Sequence, residues 1–209
     1  MAPGSALPDS MTDGTRHFDL IVVAASAGGV DALATIFARL PPQFPVPLAV
    51  VQHRSMQFPN MLSQVLSRHS RLRVKTAEAG ETPQPGSIYL APPDRHLSVA
   101  ADGSFQLTEG VLIHHTHSAA DPLFRSAAEV HRDRVIAVVL TGGLGDAAEG
   151  ARAVGLAGGI VLAQNEATSQ VFSMPKATIA TGHADAVLAI EEIGPALVRL
   201  IQTGSLVLS

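Results

Sequence analysis

Apolar positions in this chain fall into two patterns, short unbroken runs and longer stretches with helical spacing. The runs are Asp19–Ala25 (DLIVVAA), Val46–Gln52 (VPLAVVQ), Val135–Leu140 (VIAVVL) and Gly159–Ala163 (GIVLA), with a shorter one near Ala186–Ile190. Continuous apolar runs of this length suit strands buried on both faces. Between them the spacing predicts helices over Val30–Leu40, stopped by Pro41-Pro42, and near Pro59–Arg68, Asp121–Arg132, Asp146–Gly155, Met174–Thr181 and Glu192–Ile201. Asp121 suits an N-cap, and Pro122 a first helical position. Strands that alternate with helices imply an α/β fold, a doubly wound, mostly parallel sheet flanked by helices.

Residues 73–110 break this rhythm. Short β-like runs at Ser87–Ala91, His96–Ala100 and Phe105–Thr108 are separated by PQPG, PPD and ADG. Asp102-Gly103 is a hairpin signal. We read a small antiparallel β excursion near residues 85–110, at one edge of the sheet. Residues 1–17 are rich in Pro, Gly, Ser and Thr and read as a flexible N-terminal tail, leaving 18–209 as one domain.

Composition narrows the function. The chain is 46% hydrophobic and 15% charged, which favours a packed core over disorder. Its net charge of -4 argues against a nucleic-acid partner. The absence of cysteine removes disulfides, thiolate nucleophiles and cysteine-based zinc sites. No run approaches the ~18 apolar residues of a membrane span, so no membrane insertion is expected. The N-terminus does not read as a signal peptide. A cytoplasmic location is compatible with all of this.

Ligands of open α/β sheets bind outside the C-terminal ends of the strands. Ser26 follows the first predicted strand, His53 the second, and Asp146 the third major one, so all three can meet at one rim. Ser26 lies in Ala24-Ala25-Ser26-Ala27-Gly28-Gly29, which is similar to a nucleophile elbow, and the Ala27 and Gly28 amides are candidates for an oxyanion site. On local pattern alone, Ser26 equally suits a helix N-cap. His53 is the natural general base. Asp146 follows Thr141-Gly142-Gly143-Leu144-Gly145 and suits either the orienting carboxylate of a triad or the N-cap of the next helix.

Two other readings stay in view. Gly28-Gly29 is an incomplete match to a dinucleotide-binding turn, and the second strand ends in Gln52-His53 rather than in an acidic residue. His114-His115-Thr116-His117 could attract a metal, but it lacks a zinc-motif spacing and reads as a loop. No cofactor and no metal are expected.

Several separated segments together resemble the catalytic domain of the CheB-type protein-glutamate methylesterases, over roughly Phe18 to Leu200. They are Val23–Leu33 (VAASAGGVDAL), Val50–His53 (VVQH), Tyr89–Leu97 (YLAPPDRHL), Asp121–Ala127 (DPLFRSA), Val138–Gly150 and Ala163–Pro175 (AQNEATSQVFSMP). The resemblance implies a Ser26–His53–Asp146 triad that demethylates glutamate methyl esters on the cytoplasmic helices of chemoreceptors, with methanol as product. Glutamine deamidation is a further implied activity. Gly142, Gly143, His117 and Met174 become candidates for the substrate side.

The chain departs from the family pattern at three places. The aspartate loop commonly reads Thr-Gly-Met-Gly-x-Asp-Gly, whereas Gly143, Leu144 and Ala147 stand here. His117-Ser118 replaces an Arg-Pro pair. The family's receiver domain has no counterpart in residues 1–17. These departures keep open a different ester substrate, or a docking module that retains the fold with little or no activity.

Overall fold

Leu20–Ala25 forms strand β1, and all six residues are buried. Alternate side chains enter different cores: Ile21, Val23 and Ala25 face one, Leu20, Val22 and Ala24 the other. A two-sided burial of this kind explains an unbroken apolar run, because neither strand face meets water. The computed structural model describes residues 16–53, 61–109 and 118–206. The tail predicted at 1–17 lies outside these residues except for Arg16 and His17.

The remaining elements follow in order. They are α1 (Gly29–Phe37), β2 (Leu48–Gln52), α2 (Met61–Ser67), β3 (Arg73–Thr76), β4 (Ser87–Leu90), β5 (His96–Val99) and β6 (Phe105–Thr108). Then come α3 (Ala120–His131), β7 (Val135–Val139), α4 (Ala148–Leu156), β8 (Ile160–Gln164), α5 (Ser173–Ala180), β9 (Ala186–Leu188) and α6 (Ile190–Thr203). Seven strands form one sheet in the order β3-β4-β2-β1-β7-β8-β9, and every pairing in it is parallel. Helices α1, α2 and α6 supply one core, and α3, α4 and α5 the other.

After β1 the chain moves to β2 on one side, and it later returns to β7 on the other. The strand order therefore reverses at β1. That is where α/β sheets open a crevice at their C-terminal edge.

The antiparallel excursion is confined to the β5–β6 hairpin. Ser87–Leu90 belongs instead to the main sheet, parallel to β3 and to β2. Its four residues are all buried, as an interior strand requires. Strand β3 was not expected, because Arg73-Val74-Lys75-Thr76 is an exposed edge without an apolar run. Helix α3 starts at Ala120 with Ala119 as N-cap, so Asp121 lies inside the first turn rather than capping it.

Helices α3 and α4 approach closely at Gly150. A Cβ there would lie 2.5 Å from Phe124 Cβ and 3.1 Å from Asp121 Oδ1. Gly-to-Ala in a helix ordinarily stabilises by up to ~1 kcal/mol. Here overpacking, at about 1–3 kcal/mol, opposes and outweighs it. We expect Gly150→Ala to lower the denaturation midpoint in urea, and an unchanged or raised midpoint would refute this close approach.

Candidate active site

The turn after β1 is held from below. Ser26 N donates to Thr141 O at 3.0 Å, and Gly29 N donates back to Ser26 O at 2.9 Å. Gly28 carries φ +76, and a Cβ there would collide with Gln170, so both backbone and space demand glycine. Gly28 is also the N-cap of α1, and no side chain caps that helix. The helix-capping role open to Ser26 in the sequence is therefore not the one it takes. Ser26 is partly exposed at the head of the turn. Neither Ala27 N nor Gly28 N donates to a backbone carbonyl among the described residues, so both amides remain open to an anion.

His53 leaves the end of β2 with its N–H on Ala25 O at 2.9 Å, which ties it to the strand that delivers Ser26. Its Nε2 lies 2.6 Å from Asp146 Oδ2. An ionised carboxylate only accepts, so Nε2 carries the proton and Nδ1 is left with the lone pair. Among the described residues, Ser26 Oγ forms no hydrogen bond with His53; such contacts often tighten only once substrate binds.

Asp146 is fully buried. Oδ2 also accepts from Ala120 N at 2.7 Å, and Oδ1 from Asp121 N at 3.2 Å. These amides open α3, so the carboxylate sits at a helix N-terminus, where negative charge is favoured. The N-cap of α4 is Ala147, not Asp146. Burial pushes the pKa of this carboxyl up, towards the neutral form. The His53 and α3 hydrogen bonds outweigh it and hold the group below its ordinary 3.8.

The start of α3 is itself fixed twice. Ala119 N donates to His96 Nδ1 at 3.1 Å, and Asp121 Oδ1 accepts from Gly150 N at 2.7 Å. The hairpin and α4 thus both position the amides that hold Asp146.

Gly142 lies against the serine: a Cβ there would collide with Ser26 Cβ and Met174 Sδ. Met174 is fully buried beneath Gly142, and its N–H donates to Gly142 O at 3.0 Å. Among the described residues, a Cβ at Gly143 would meet nothing within 4 Å. His117, with His114 and His115, lies outside the described residues. Among those residues, no cluster of three His, Asp or Glu is arranged to hold a metal.

Two glutamines carry structural work that the sequence reading left unassigned. Gln52 Nε2 donates to Ser26 O at 2.8 Å and to His53 O at 2.9 Å, bridging the two backbones with one amide. Gln164, 1% exposed, accepts from Thr141 N at 2.8 Å and donates to Thr168 O at 2.8 Å. Thr141 Oγ1 in turn donates to Ala27 O and accepts from Val171 N, each at 2.9 Å. The available signal was a polar residue ending an otherwise apolar strand, at Gln52 for β2 and at Gln164 for β8.

Comparison with known proteins matches residues 21–197 to a family described as CheB methylesterase. A relative from Caulobacter vibrioides, named protein-glutamate methylesterase/protein-glutamine glutaminase 2, is 39% identical over 198 residues, covering 93% of this chain and 57% of that protein. A Thermotoga maritima relative, named protein-glutamate methylesterase/protein-glutamine glutaminase, is 39% identical over 185 residues, 87% of this chain and 54% of its own length. The chain spans about half the length of these two relatives. It covers 96% of a relative from Leptospira interrogans at 33% identity. The crystal structure of the Thermotoga maritima CheB methylesterase catalytic domain superposes with a TM-score of 0.84 at 39% identity, covering 88% of this chain and 98% of that one.

The lowered pKa of Asp146 has a stability consequence. Its ionised form is favoured by folding, so its contribution is whole above the unfolded value near 3.8 and fades as pH falls through the lower folded value. We expect thermal midpoints of Asp146→Asn to fall less steeply than wild type below about pH 4. Parallel curves would rule out Asp146 as a source of acid sensitivity. Replacing Gln52 by Met keeps its bulk and removes both hydrogen bonds, and should cost about 1–3 kcal/mol in chemical denaturation. A change within ~0.5 kcal/mol would show the bridge to be energetically idle.

Proposed function

The chain belongs to the CheB methylesterase family, and from that premise we propose that it hydrolyses glutamate methyl esters on a protein substrate, with Ser26, His53 and Asp146 as its triad. The observation that carries this reading is the 2.6 Å His53–Asp146 contact, made by a carboxylate that α3 also holds, at the rim that presents Ser26. By the chemistry of the family, the substrate is a methylated chemoreceptor in its cytoplasmic helical region, and the enzyme acts in the cytoplasm. No helix among the described residues is long and apolar enough to cross a membrane.

The steps follow from the roles. Ser26 Oγ attacks the ester carbonyl as its proton passes to His53 Nδ1. The Ala27 and Gly28 amides receive the oxyanion. His53, now an imidazolium steadied by Asp146, returns the proton to the departing methoxide, and methanol leaves. Water then donates a proton to His53 and attacks the acyl-serine, releasing glutamate and restoring Ser26. The same acyl-enzyme would form from a glutamine side chain with ammonia as the leaving group. That second activity is favoured by the relatives' names, which pair methylesterase with glutaminase.

Purified protein beside Ser26→Ala tests the reading with methylated receptor fragments, scored by methanol release. We expect turnover to fall by about 10⁴–10⁶-fold in the variant. Turnover of a small activated ester alone would keep the triad and discard the receptor as substrate. A folded wild type inactive on both would favour a docking module over an enzyme.

A further inference from the structure

We propose that Leu144 is a substrate-docking side chain, which packs against an apolar residue of the protein substrate next to the esterified glutamate. The proposal rests on the methylesterase reading, because only a macromolecular ester brings neighbouring residues to the mouth of the site.

Leu144 carries two costs with no return inside the fold. Its backbone is left-handed, with φ +65, where an L side chain crowds its own carbonyl. Its side chain is 59% exposed, so the fold gains little from its apolar bulk. Ala147, three residues on, is also left-handed at φ +74, but its methyl is fully buried in the core beneath α4. Packing offsets part of the cost at Ala147, and the exposed Leu144 side chain gains no such burial. Strain of this kind is commonly held where function needs it.

The location says what the side chain is for. Gly142, two residues before, abuts Ser26 Cβ, and Asp146, two residues after, binds His53. The Leu144 Cα is therefore within about 7 Å of Gly142 Cα, whatever path the loop takes. Both ends of the loop are pinned: Thr141 N to Gln164 Oε1, Gly142 N to Val171 O, and Asp146 to α3. Gly142, Gly143 and Gly145 have no side chains, so Leu144 supplies the one side chain in that run. A loop pinned at both ends thus carries a single exposed leucine two residues from the glycine that abuts the serine. The partner chemistry that recovers the exposure cost is an apolar side chain, one helical turn from the reacting glutamate on a helical substrate.

Leu144→Asn is the discriminating variant, because asparagine tolerates the left-handed backbone while removing the apolar surface. Its kcat/KM would be compared with wild type on a methylated receptor fragment and on a small activated ester. We expect the fragment to lose about tenfold more than the small ester, chiefly through KM, with recovery in Leu144→Met. Equal losses on both substrates, or no loss on the fragment, would overturn the proposal. A second arm titrates the same fragment against Ser26→Ala with and without Leu144→Asn. If wild type fails to hydrolyse the fragment, the methylesterase reading falls, and this arm still decides the docking role. About tenfold weaker binding would uphold that role, and unchanged or absent binding would end it.

Discussion

The buried Asp146 carboxylate is the constraint on which the site hangs. An ionised group removed from water is costly unless its charge is met by well-placed donors. Here three donors meet it, from His53 and from the Ala120 and Asp121 amides. Those donors belong to the end of β2 and the start of α3, while Asp146 itself precedes α4. One carboxylate thus fixes three separate parts of the chain relative to each other. Moving any one of them would take donors away from a buried charge.

The exchange between α3 and α4 is reciprocal. Asp146, ahead of α4, accepts from the first amides of α3, and Asp121, in the first turn of α3, accepts from Gly150 N in α4. Each helix start is satisfied by a carboxylate from the other's side, although neither N-cap residue bonds through its own side chain. Such crossed pairing explains how α4 can begin at Ala147 with a left-handed residue and no side-chain cap. It also explains why Gly150 must be small, since the two helices approach within reach of those bonds.

The fold was legible because its interior strands are continuous apolar runs that have only one plausible burial, on both faces. β1, β2, β7 and β8 could be read from that pattern, with ends that differ by one or two residues. Ser87–Leu90 was recognised as a strand but not as part of the parallel sheet, because four residues bounded by turns carry no sign of strand direction. β3 was invisible because it is an edge strand paired with β4 and carries no apolar run. In the site, Ser26, His53 and Asp146 stood out as chemically able residues at strand ends. Gln52, Gln164 and His96 did not, because each has a hydrogen bond to a backbone atom more than twenty residues away in sequence.

The aspartate loop shows how backbone shape can outlast the residues that suit it. Its commonest family pattern places glycine where this chain has Leu144 and Ala147, and both of these remain left-handed here. A left-handed L-residue costs about 1–2 kcal/mol. The anchors at Thr141, Gly142 and Asp146 prevent relaxation, for any other path would unseat Asp146 from His53 and α3. Burying the Ala147 methyl returns about 0.8 kcal/mol, which offsets part of its strain. At Leu144, 59% exposed, the described residues give no such burial, and the anchors of the loop alone hold its path.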